Sequence, residues 1–178
     1  IKPFIGFHAP RGTAMYHTMP PSAECVQTVV GAFRDINAAW GCRLNLDALL
    51  QLLKVDGLCL VGDLLSFLFG IEFGTKSSRL YKLSVNMLTR SISGLRQAAS
   101  ALGVKNAGQI LRLAAKQLQC IGIDFYPDGG CEMKMFVGEN TPCRLVCAGA
   151  EIINVCRSWR VDRFGRARSS KLYLRFAQ

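Results

Sequence analysis

Glu72, Lys82, Lys134, Lys171 and Arg175 are the residues of this 178-residue chain whose types and spacing invite chemistry. Each sits in a stretch where polar and apolar side chains alternate. In 67–74, Phe67, Phe69, Ile71 and Phe73 share one phase, while Gly70, Glu72 and Gly74 share the other. In 80–87, Tyr81, Leu83, Val85 and Met87 oppose Lys82, Ser84 and Asn86. Ile121, Ile123 and Phe125 oppose Asp124 and Tyr126, and Cys131, Met133, Met135 and Val137 oppose Glu132, Lys134 and Phe136. Near the end, Leu172, Leu174 and Phe176 oppose Lys171, Tyr173 and Arg175. A period of two predicts strands with two unlike faces. Gathered on one side of one sheet, the polar set would hold a polyanion such as diphosphate by charge-assisted hydrogen bonds. The tyrosine faces could shield a cation beside it.

The elements that must position these residues follow from the rest of the pattern. Residues 1–20 are expected to be irregular, broken by Pro3, Pro10, Gly12 and Pro20. Helical stripes predict helices over 22–39, 46–54, 91–102 and 107–119, with start signals at Ser22, Asn45 and Asn106. A further helix is expected over 143–156, followed by a short strand at 157–161. Turn-like Gly74–Ser78 and Pro127–Gly130 join the strands into hairpins. The expected order is helix, helix, strand, strand, twice over, then helix and strands. The fold class is α+β, in a single domain over 1–178.

Composition bounds the function. With 22 Lys+Arg against 12 Asp+Glu the formal net charge is +10, yet half the residues are apolar and only 19% are charged. A disordered basic tail is excluded, because low hydrophobicity is what keeps such tails unfolded. The eight cysteines form no CxxC pair, and neither His8 nor His17 has ligand spacing to a cysteine pair. No metal site is therefore expected. Reduced thiols suit a cytosolic protein better than a disulfide framework does. The longest apolar stretch, Leu58–Phe73, is interrupted by Asp63 and Glu72, so no membrane span is expected. The expected setting is the cytoplasm, and the expected state a monomer.

Helices between hairpins must cover the apolar strand faces. Two readings of the polar face stay open. It faces solvent on an antiparallel sheet with one wet side, or the sheet curls into a barrel with helices outside and a polar lumen within.

At these hairpins the sequence resembles the ABBA prenyltransferases, with the closest look to their cyanobactin, peptide-modifying branch. The stretches that carry the likeness are 69–73 (Phe-Gly-Ile-Glu-Phe), 78–83 (Ser-Arg-Leu-Tyr-Lys-Leu), 121–129 (Ile-Gly-Ile-Asp-Phe-Tyr-Pro-Asp-Gly), 132–136 (Glu-Met-Lys-Met-Phe) and 170–176 (Ser-Lys-Leu-Tyr-Leu-Arg-Phe). The resemblance implies an antiparallel β-barrel of αββα repeats. It implies transfer of an allylic prenyl group from its diphosphate, the co-substrate, to a peptide or small aromatic acceptor. Glu72 would take the acceptor's proton. Arg79, Lys82, Lys134, Lys171 and Arg175 would hold the diphosphate, and Tyr126, Phe136 and Tyr173 would shield the allyl cation. Magnesium serves some members of that family, and no carboxylate pair here identifies a site for it. One departure matters: Arg79 and Lys82 are three apart, so a regular strand would point them to opposite faces unless a bulge restores the phase.

The rival clue is C-terminal. Arg157–Arg175 holds seven Lys+Arg against the single acid Asp162, with Trp159, Phe164 and Tyr173 among them. That mixture could bind single-stranded nucleic acid, although the rest of the chain is too apolar for a simple nucleic-acid module. A third class is a ligand-binding barrel without catalysis. Length conflicts with the barrel reading, since each repeat needs about 50–55 residues. About three repeats fit, and the start at Ile1 suggests missing sequence and an incomplete barrel.

Overall fold

The computed structural model describes residues 4–8, 12–20, 22–53, 64–74, 79–115, 117–138, 146–147 and 150–176. Two strands open the chain, β1 (Phe4–His8) and β2 (Gly12–Met19). Two helices follow, α1 (Ala23–Trp40) and α2 (Leu46–Leu52), then β3 (Leu64–Phe73) and β4 (Leu80–Thr89). Helices α3 (Ile92–Ala101) and α4 (Gly108–Ala114) lead to β5 (Leu118–Phe125) and β6 (Cys131–Gly138). Three strands close the fold: β7 (Val146–Cys147), β8 (Ala150–Val161) and β9 (Ala167–Phe176). Every pairing is antiparallel, in the order β1-β2-β3-β4-β5-β6-β8-β9, with β7 also on β8. The described ladders form an open path from β1 to β9. The architecture is α+β.

Local chemistry explains the helix ends. Ser22, Asn45 and Ser91 each accept a hydrogen bond at the first turn of α1, α2 and α3, from Cys25, Ala48 and Gly94 N–H. Gly41 and Gly103 take left-handed φ just past α1 and α3, where a side chain would be strained. Asn106 does not cap α4. Its Oδ1 accepts from Gly108 N–H, and Ala107 occupies the cap position.

The four helices cover the apolar face of the sheet. Val26, Val29, Val30 and Phe33 of α1, Leu49 of α2, Leu95 of α3 and Ile110 of α4 join Leu83, Val85, Met87, Ile121, Ile123, Phe125, Met133 and Met135 in one core cluster. Phe33 is the keystone of α1. It is fully buried, its ring 4.8 Å from Phe125 in an edge-on pair and 6.4 Å from Phe69. Burying one such ring contributes ~1.5–3 kcal/mol.

Three expectations are corrected. The described part of 143–156 is strand, not helix. The helical spacing of Ile152 and Ile153 coincides with a β-branched run, and ladders to β6 and β9 decide in favour of the extended chain. The described residues between 4 and 19 are strand rather than irregular, and two of the breakers sit at strand ends: Gly12 opens β2 and Pro20 follows it. The helix over 107–119 stops at Ala114, where the approach of β5 claims Leu118. The 157–161 strand is the C-terminal part of β8. The turn at 75–78 and the apolar segment 58–63 lie outside the described residues. Among the described residues no helix is long and apolar enough to cross a membrane.

Candidate functional site

Paired residues in an antiparallel ladder project from the same face, so register tells which side chains meet. Glu72 pairs Lys82, Ser84 pairs Asp124, and Asp124 pairs Glu132. One pair further along, Gly122 faces Lys134, Lys134 faces Arg160, and Arg160 faces Arg168. All of these lie on the face turned away from the helices.

Asp124 is the hub. Lys82 Nζ lies 2.7 Å from its Oδ2 and 3.1 Å from Glu72 Oε1, and Ser84 Oγ donates to its Oδ1 at 2.7 Å. Lys134 Nζ donates to the same Oδ2. Burial pushes the Asp124 carboxyl up, but the Lys134 and Lys82 ammonium groups outweigh it and hold the group below the usual carboxylate range. Burial also works against the Lys82 charge. Asp124 and then Glu72 overcome it and raise Lys82 above the ordinary lysine range. Lys134 goes the other way. Burial lowers it, Asp124 alone does not compensate, and neighbouring Lys82 adds repulsion. Two lysines around one carboxylate therefore titrate apart.

The aromatic members flank this cluster. The Tyr126 hydroxyl donates to Glu132 Oε2 at 3.1 Å, and its ring meets Tyr81 edge-on at 6.1 Å. Burial, then Asp124 and Glu132, push the Tyr126 phenol up. Phe136 closes over Gly122: a Cβ at that glycine would fall 3.0 Å from Phe136 Cε2 and 2.4 Å from Asn86 Oδ1. The absent side chain makes room for both.

The bulge that Arg79 requires is present. Glu72 pairs Lys82 while Phe73 pairs Leu80, so Tyr81 is the extra residue. Gly74 N–H bonds the Arg79 carbonyl at 3.1 Å, placing Arg79 opposite Gly74 and in phase with Glu72 and Lys82. Its side chain is exposed, outside the enclosed cluster. Lys171 is also exposed and pairs Ser158, so Arg168 rather than Lys171 stands in the row of Lys134. The register shift between Ser158 and Trp159 brings Lys171 into phase with Ser158, two residues along β8 from Arg160. Tyr173 pairs Cys156 and Arg175 pairs Asn154, further along the same strand.

Two features were not picked out from the sequence. Asp124 was visible as a polar-phase acid inside an apolar strand, but its role needs the lysines of two neighbouring strands. The second is a cavity of about 630 Å³ at the β5–β6 and β8–β9 hairpin ends, lined among others by Tyr126, Glu132, Arg160, Arg163, Arg166 and Arg168.

Among the described residues no group of three or more His, Cys, Asp or Glu is arranged to hold a metal ion. Glu72 and Asp124 face lysine ammonium groups instead, which does not suit a divalent cation there. Compared with known proteins, the chain matches no family model and no curated protein.

Proposed function

We propose that this chain is an ABBA-type prenyltransferase, moving an allylic group such as dimethylallyl from its diphosphate to a nucleophilic side chain of a peptide or small aromatic acceptor. The observation that carries the reading is the enclosure of the polar strand face. Glu72, Lys82, Asp124 and Lys134 lie away from the helices, yet their side chains keep only 12%, 9%, 2% and 13% exposure. An open wet face would leave such long charged side chains in water. In this proposal the sheet curls round them with the helices outside.

Asp124 orients both lysines, so their charges are in place before substrate arrives. Lys82 and Lys134, extended by Arg79, Lys171 and Arg175, take up the diphosphate. As the allylic C–O bond breaks, its electron pair leaves with the diphosphate oxygen and the cations stabilise that charge. Tyr126, Phe136 and Tyr173 flank the allyl cation. The acceptor's nucleophilic atom forms the new bond to the allyl carbon, and its proton passes to Glu72. No step is routed through magnesium.

The test is incubation with dimethylallyl diphosphate and a panel of peptides and aromatic acceptors. The expected result is one added isoprene unit by mass, matched one to one by released diphosphate. No adduct with any acceptor overturns the reading. Diphosphate binding without transfer would do so in favour of a binding barrel.

A further inference from the structure

The hairpin-end cavity carries more charge than the proposed transfer uses. Four arginines, Arg160, Arg163, Arg166 and Arg168, meet only two carboxylates there, Glu132 and Asp162. Asp162 is spent on the turn itself. Its Oδ1 accepts from Phe164 and Arg166 N–H at 2.9 and 3.0 Å, and its Oδ2 from Arg166 Nε at 2.9 Å. Glu132 reaches Arg160 NH1 at 3.5 Å while also accepting from Tyr126. Among the described residues, no group accepts a hydrogen bond from the buried Arg160 Nε. Four guanidinium groups set against two engaged carboxylates leave the cavity with uncompensated positive charge, which favours an anion from outside the chain.

The hairpin backbone is anchored to its neighbours. Lys105 N–H bonds the Arg163 carbonyl at 3.0 Å, tying the hairpin to the α3–α4 connection. Gly165 takes φ 79° and sits so close that a Cβ would fall 1.6 Å from the Asn106 carbonyl oxygen. Guanidinium forks recognise planar carboxylates in bidentate fashion. The guanidinium groups of Arg163 and Arg166 already lie 4.9 and 5.3 Å from the centre of the Phe164 ring, which leaves that ring poorly placed to stack a nucleobase. The cavity is one ladder step from Asp124, because Asp124 pairs Glu132.

We infer that this arginine cavity docks a carboxylate of the acceptor peptide, its C-terminus or an Asp or Glu side chain, and so selects acidic acceptors. The inference rests on the prenyltransferase reading for the word acceptor, but not for the binding itself. The size suits a few peptide residues, since ligand cavities run from ~300 to ~1,000 Å³.

The test compares one tyrosine-containing peptide with its C-terminal amide, by titration calorimetry on the full chain and on Arg163→Gln/Arg166→Gln. Both side chains are exposed, and the turn's backbone bonds do not need them. The acid should bind about tenfold or more tighter than the amide, and the variant should erase that difference. Equal binding of acid and amide overturns the inference. Inorganic diphosphate displacing the peptide, with its own affinity lost in the variant, overturns it in favour of a leaving-group site. An oligonucleotide that binds where the acidic peptide does not overturns it too. Carboxylate-dependent binding without transfer would sink the transferase reading alone, whereas transfer indifferent to the carboxylate would sink the docking site alone.

Discussion

Lys82 Nζ lies 2.7 Å from Asp124 Oδ2 across the β4–β5 ladder, with both side chains almost wholly enclosed. The pair joins residues 42 apart in sequence and draws Glu72 and Lys134 into one cluster. Asp124 holds two lysines on one oxygen, and Lys82 in turn reaches Glu72.

Removing that carboxylate strips the buried Lys134 ammonium of its Asp124 partner and leaves Lys82 with Glu72. Asp124→Asn should cost ~3–5 kcal/mol, the range for breaking a buried pair from one side, read as a shift of the urea midpoint. The folded carboxyl titrates below its ordinary value of 3.8. Its stabilisation is therefore complete above pH 3.8 and drains away as the pH falls through the folded value. The acid limb of stability against pH should be steeper in the parent than in the variant. Parallel limbs would show that Asp124 contributes no such linkage.

Glu72→Gln separates a base from a brace. If Glu72 accepts the acceptor's proton, kcat for transfer should drop by about 10²–10⁴ with little change in KM for the prenyl diphosphate. A variant that loses kcat at unchanged KM fits the base. A variant that only loosens diphosphate binding assigns Glu72 to holding Lys82.

Gly165 tests the hairpin anchor. Alanine there needs a left-handed φ and a Cβ 1.6 Å from the Asn106 carbonyl oxygen, and a backbone atom cannot step aside cheaply. Gly165→Ala should destabilise by at least ~1–3 kcal/mol. Faster amide exchange at Lys105, whose N–H bonds Arg163, should accompany it. Unchanged exchange would show that the hairpin does not lean on that connection.

Cys131 lines the arginine cavity, yet it should react slowly. Burial, then Asp128, push its thiol up to about 11. A free thiol titrates near 8.5, so at pH 8 the thiolate should be scarcer by roughly two orders of magnitude. Site-resolved iodoacetamide labelling should climb about tenfold per pH unit between 8 and 10. A plateau by pH 9 would contradict the raised value.

Pattern alone determined the amphipathic pieces. Strands β3, β4, β5 and β6 and helices α1, α2 and α3 were legible because burying one face repeats at a fixed period, 2.0 or 3.6, in any tertiary setting. Glu72, Lys82, Asp124 and Lys134 were assigned to one polar phase for the same reason. Their meeting was not legible, because it depends on register between strands that are distant in sequence. The strand character of 150–156 was missed on similar grounds: a short apolar run fits both periods, and only its neighbours β6 and β9 choose between them. Tertiary structure alone turned a spacing of three between Arg79 and Lys82 into a shared face, through the bulge at Tyr81. It alone put Arg168, not Lys171, beside Arg160, and folded a basic connection back against Lys105 and Asn106 to make a cavity. Phase is a local property of the chain, whereas register and enclosure are set by which surfaces finally press together.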